Sequence, residues 1–65
     1  MRIVQYVTLD VESEIKGLYG EAGWNFLELR CNMDYTRIYY EWTRSGPPVF
    51  PDLSDYHMPA PMILR

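Results

Sequence analysis

Between residues 25 and 42 the chain reads NFLELRCNMDYTRIYYEW, and the spacing of its apolar residues leaves few folds open. In steps of two it gives Leu27, Leu29 and Cys31, then an Asn-Met-Asp-Tyr break, then Ile38, Tyr40 and Trp42. Alternation with period two marks strands with one buried face, and two such runs joined by a short polar step form a hairpin. A connection through Asn32 to Tyr35 pairs Cys31 with Thr36, Leu29 with Ile38 and Leu27 with Tyr40, which gathers the apolar set on one face. A slip of one residue would scatter that set, so the register is nearly forced. Strands are expected over about 24 to 31 and about 36 to 44.

The other face of the same hairpin carries Trp24, Phe26, Glu28 and Arg30, then Tyr35, Arg37, Tyr39 and Glu41. In this register Arg30 faces Arg37, Glu28 faces Tyr39, Phe26 faces Glu41 and Trp24 faces Thr43. Two opposed arginines repel unless Glu28, Glu41 or an anion from elsewhere reaches them.

Upstream, IVQYVTLDV (residues 3 to 11) places Ile3, Val7, Leu9 and Val11 on one side and Val4, Tyr6 and Thr8 on the other, with the β-branched content of a first strand. Asp10 and Ser13 are placed to accept from free backbone N–H groups, and Glu12 and Glu14 suit the positive end of a helix dipole. Ile15, Leu18 and Tyr19 then fall at helical spacing, predicting a short helix over residues 12 to 20 with Gly20 as its C-terminal cap. Gly17, Gly20 and Gly23 end a helix and precede a strand, the reverse of a phosphate-binding loop, so they read as cap and turn.

The order strand, helix, strand, strand predicts an α+β fold: a small three-stranded antiparallel or mixed sheet with one short helix, βαββ, over residues 1 to 45. A crossover through the helix leaves the third strand between the first two. All five prolines lie after Ser45, so residues 46 to 65 read as a Pro-rich extended C-terminal tail. Val49, Phe50, Leu53, Tyr56, Met58, Met62, Ile63 and Leu64 make this tail too apolar for a linker, and it is expected to dock on the domain or on a partner. Neither the first nor the second strand carries the lysines or prolines that protect an edge, so either a homodimer or an edge covered by the tail is expected.

Sixty-five residues bury only about 60% of the unfolded surface, so nearly every large apolar side chain must serve the core or an interface. Cys31 is the sole cysteine, which excludes an intramolecular disulfide and suits a small hydrophobe of the core. Nine acidic against six basic residues give a net charge of −3, which makes nucleic acid and anionic membranes the less expected partners. No apolar run approaches the ~18 residues of a membrane span, and the N-terminus lacks a signal-peptide pattern, so a soluble cytoplasmic protein is expected.

Catalytic groups are scarce. Asp52, Ser54, Asp55 and His57 in DLSDYH have the residue types of a triad or metal site, yet neighbours in one extended segment rarely converge. The P-x-x-P spacing of Pro48 to Pro51 has its nearest arginine, Arg44, one position too far upstream, and Asp52 follows it. Neither catalysis nor a metal or cofactor is expected. One helix cannot cover both faces of a three-stranded sheet, and arginine and aromatic residues are enriched at binding hot spots. Trp24, Phe26, Arg30, Arg37 and Tyr39 are therefore the expected partner surface of a small non-catalytic module that masks or inhibits a larger protein. Compact modules of this kind are common among phage and mobile-element inhibitors of host machinery, an association of size rather than of residues. The alternative from the same face is a single-stranded nucleic-acid binder that stacks bases between arginines.

Overall fold

The computed structural model describes residues 1–65. The β-branched N-terminal run forms β1 (Arg2–Val7), which ends four residues earlier than the alternation suggested. The Thr8 hydroxyl donates to the Asp10 carboxylate at 2.6 Å, a local bond that competes with continued extension, and a 3-10 turn over Leu9–Val11 leads into the helix. Helix α1 (Glu12–Ala22) runs two residues past the expected Gly20 stop. Its cap is Gly23, whose φ of 105° no other residue adopts cheaply and whose N–H reaches the carbonyls of Tyr19 and Gly20. A side chain there would also meet the Arg44 guanidinium, which lies 2.9 Å from where its Cβ would stand.

The hairpin follows as β2 (Asn25–Cys31) and β3 (Thr36–Glu41). Its turn is held by Asn32, whose N–H donates to the Tyr35 carbonyl at 3.0 Å and whose side-chain oxygen accepts from the Asp34 N–H at 2.9 Å. β3 lies between β1 and β2, antiparallel to both, as the crossover implied. The expected three strands become four. Residues Met62–Leu64 at the end of the tail form β4, which pairs antiparallel with β1, so the sheet order is β2-β3-β1-β4. The five prolines precede this strand, and proline-free β4 can complete its ladder.

Four pairs of the hairpin fall in the expected register: Cys31 with Thr36, Arg30 with Arg37, Leu29 with Ile38 and Glu28 with Tyr39. Between Phe26 and Glu28 the register shifts, and Phe26, not Leu27, pairs with Tyr40 while Asn25 pairs with Glu41. Leu27 is the extra residue of a β-bulge. One inserted residue moves everything before it to the opposite face, so Phe26 joins the helix side and Leu27 leaves it.

The core lies between α1 and one face of the sheet. Ile15 and Tyr19 of the helix pack on Ile3, Val7, Ile38, Tyr40 and Trp24. The rings of Tyr19 and Tyr40 stack at 4.4 Å, and Trp24 meets Tyr19 edge-on at 6.0 Å. The tail completes this layer: Leu53, Tyr56 and Met58 pack on the cluster, and the Phe50 ring sits 5.2 Å from Trp24. Two buried polar groups pin it. Trp24 Nε1 donates to the Val49 carbonyl at 2.7 Å, and Gln5 Nε2 donates to the Pro59 carbonyl at 2.8 Å while Gln5 Oε1 accepts from the Tyr19 hydroxyl at 2.6 Å. Helix, central strand and tail are thereby tied through one glutamine. Cys31 is not part of the core: it stands exposed at the end of an edge strand beside the turn, its sulfur accepting from the Thr36 hydroxyl at 3.6 Å.

Candidate functional site

The face of the sheet away from α1 has no layer over it. Alternation along the strands sends Arg2, Val4 and Tyr6 of β1 to this side, with Glu28 and Arg30 of β2, Arg37, Tyr39 and Glu41 of β3, and Met62 and Leu64 of β4. Val4 is buried there, flanked by its registered neighbours Tyr39 and Met62. Around it lie half-covered tyrosines, arginine stems and exposed aliphatic groups. A shallow groove of about 430 Å³ crosses all four strands, lined by Arg2, Leu27, Glu28, Tyr39 and Leu64.

The ion pairs on this face are unevenly shared. Arg2 Nε lies 3.1 Å from Glu41, and Arg30 Nε lies 3.4 Å from Glu28. Arg37 has no carboxylate partner. It stands in register between Arg30 on one side and Tyr6 on the other, and the Tyr6 ring stacks on Tyr35 at 5.1 Å. Three arginines thus meet two glutamates on the open face, whereas the helix, its approach and the C-terminal segment hold Asp10, Glu12, Glu14, Glu21, Asp52 and Asp55 against Lys16, Arg44 and Arg65. The net charge of −3 belongs to the helix and tail side, and the average does not describe the open face.

Of the five residues expected at the partner surface, the fold brings Arg30, Arg37 and Tyr39 together. The bulge separates the other two. Trp24 is 4% exposed and enclosed by Tyr19, Trp42 and Phe50, and Phe26, 48% exposed, lies on the helix side with Lys16 Nζ 4.6 Å above its ring. In their place stand Tyr6 and Tyr35, together with Leu27, Met62 and Leu64. Tyr6 was legible from the alternation of its strand and Tyr35 from the same alternation carried one residue back from β3; Leu27 required the bulge, and the methionine and leucine required the fourth strand.

The polar residues of the tail serve the tail. Asp52 Oδ1 accepts from the Ser54 N–H at 3.0 Å, opening a 3-10 turn over Ser54–Tyr56, and this bond holds its carboxyl below the usual range. His57 follows in the left-handed conformation at φ 54°, exposed. No three His, Cys, Asp or Glu side chains stand where they could share a metal ion, and no helix is long and apolar enough to cross a membrane. The strongly shifted groups are core tyrosines: burial pushes the Tyr19 hydroxyl up to about 12, and burial, then Tyr19 and Glu12, push Tyr40 higher still. The Tyr40 hydroxyl is buried without a hydrogen-bond partner. What the open face can do chemically is bind: two adjacent guanidiniums offer forks of donors to an anionic group, and the tyrosines offer flat rings with polar tips. Among known proteins, no family model matches this chain, and neither a curated protein nor a solved structure is similar to it.

Proposed function

We propose that the chain is a non-catalytic protein-binding module that docks on a larger partner through its open sheet face and masks the surface it covers. The observation that carries this reading is Arg37, a guanidinium without a carboxylate, set between Tyr6 and Arg30 on a face that nothing else in the chain covers. Glu28 answers Arg30 but leaves the opposed Arg37 without a carboxylate, and one from a partner would meet that guanidinium with bidentate geometry. Tyr39, Leu27 and Leu64 around the groove supply the apolar area, and Tyr6 and Tyr35 supply rigid aromatic contacts of low ordering entropy.

The same chemistry favours a second reading. Stacked tyrosines beside two arginines also suit single-stranded nucleic acid, in which bases stack on rings while phosphates meet guanidiniums. The helix side's acidic surplus weighs against it at long range. The two readings separate on salt. Protein capture by the immobilised chain is expected to persist as salt is raised from low to physiological and beyond, with Arg30→Ala and Arg37→Ala each weakening it by about 1 to 3 kcal/mol. Binding to mixed-sequence single strands that falls steeply with salt, with no protein retained, would replace the first reading by the second.

A further inference from the structure

The sheet has one long open edge. β1 is flanked on both sides, and the opposite edge strand, β4, has only three residues, but the outer side of β2 carries no lysine or proline and is regular from Glu28 to Cys31, past the bulge at Leu27. Asn32 N–H bonds to the Tyr35 carbonyl, so by the alternation of antiparallel ladders Arg30 and Glu28 make the hydrogen bonds to β3. Leu29 and Cys31 then turn their N–H and C=O groups outward. A carbonyl and an N–H from each side of Leu29 form a closed pair only with another antiparallel strand.

We infer that this edge pairs with the same edge of a second copy, two-fold about Leu29, to give a continuous eight-stranded sheet. The charges select this register. Centred on Leu29, each Glu28 faces the Arg30 of the other copy, twice over, while Leu29 meets Leu29 on the helix side. A shift of the centre to Glu28 sets the two glutamates against each other, and a shift to Arg30 opposes the two arginines. Registers between these put charged residues against leucine and turn one copy's open face toward the other's helices. The sequence Glu28-Leu29-Arg30 is thus complementary to itself in one antiparallel alignment. The Glu28 and Arg30 of one chain, 3.4 Å apart and both well exposed, are free to exchange partners across the edge. The dimer joins the two open faces on one side of the sheet, so the arginines and tyrosines of both copies form one surface.

Charge reversal tests this in the full chain, in reducing buffer, by sedimentation over a concentration series. The wild type should associate reversibly to a dimer, and Glu28→Arg or Arg30→Glu alone should weaken association by about tenfold or more, since each sets like charges together twice. The double variant should recover it. The two single variants should also associate with each other when mixed, because every pair across the edge is then opposite in charge. Circular dichroism of each variant verifies the fold, and recovery in the mixture can come only from folded chains. A strictly monomeric wild type, a dimer indifferent to both reversals, or single variants that fail to recover on mixing would each overturn the inference.

Discussion

Tyr39 and Tyr40 are adjacent in β3 and have opposite surroundings. Tyr40 points beneath α1, 1% exposed and stacked on Tyr19, while Tyr39 points to the open side and lines the groove. Both faces of the sheet are rich in tyrosine, so aromatic content alone does not tell core from surface. Cover does: the helix and the tail segment carrying Phe50, Leu53, Tyr56 and Met58 pack on one side, and the other has only the sheet's own side chains. The charged residues sort with that difference. The open face keeps its arginines around buried Val4, and on the covered face Gln5 is answered by Tyr19 and Pro59 while the Tyr40 hydroxyl is left unanswered.

The most severe way to break this contrast is to strip the covered face. Deleting residues 46 to 65 removes β4, the Phe50 ring and the carbonyls that satisfy Trp24 Nε1 and Gln5 Nε2. The loss is expected to exceed the roughly 5 kcal/mol available to a domain of this size, leaving the fragment largely unfolded by circular dichroism. A cooperatively melting 1–45 fragment would mean that the helix alone suffices as cover.

Next in size are two substitutions that the alternation pattern alone would rank together. Ile38→Ala, at a fully buried position under α1, should lower stability by about 3 kcal/mol in urea unfolding, whereas Leu29→Ala, half-buried on the edge strand beside it, should lower it by about 1 kcal/mol. Equal losses would show that cover extends to the β2 edge.

Much of this was readable in the residues, and the failures have physical causes. The hairpin register held from Glu28 to Cys31 because a slip would have scattered its apolar set. It failed beyond Leu27, and the reason lies in the sequence: Trp24 and Phe26 share one parity, Leu27, Leu29 and Cys31 the other, so apolar residues switch parity at the Phe26-Leu27 step. An apolar pair at a parity switch is what a bulge looks like before folding. Taking the pattern as unbroken placed Trp24 and Phe26 on the open face. The fourth strand was less legible, since three residues after a run of prolines carry no periodicity, and only the exposed edge of β1 gives Met62 to Leu64 a partner. Cys31 followed the apolar parity correctly but sits at a corner of the sheet, where parity does not guarantee cover.

The buried tyrosines give smaller effects of opposite sign. Tyr19→Phe leaves Gln5 Oε1 without its donor and should cost about 1 to 2 kcal/mol, while Tyr40→Phe removes a hydroxyl that has no partner and should leave stability unchanged or raise it by up to ~1 kcal/mol. Both hydroxyls ionise more readily in the unfolded chain, near 10, than in the fold, where Tyr19 is pushed up to about 12 and Tyr40 further. The native state therefore holds protons that the unfolded state releases. The stability this confers is complete below pH 10 and is lost as pH rises from there toward 12 and beyond. Thermal midpoints measured through that range should fall, and fall less steeply in the Tyr40→Phe variant; a flat alkaline limb would mean that water reaches these rings.

The central claim is that Arg37 serves recognition and not folding, and Arg37→Glu tests it most directly. This change sets a carboxylate opposite Arg30, so the chain should remain folded with its thermal midpoint unchanged or slightly raised. Partner capture, measured per folded molecule against the wild type, should drop by about tenfold or more because the guanidinium is lost and a like charge meets the partner's acidic group. A folded Arg37→Glu chain that captures its partner as well as the wild type would contradict the account.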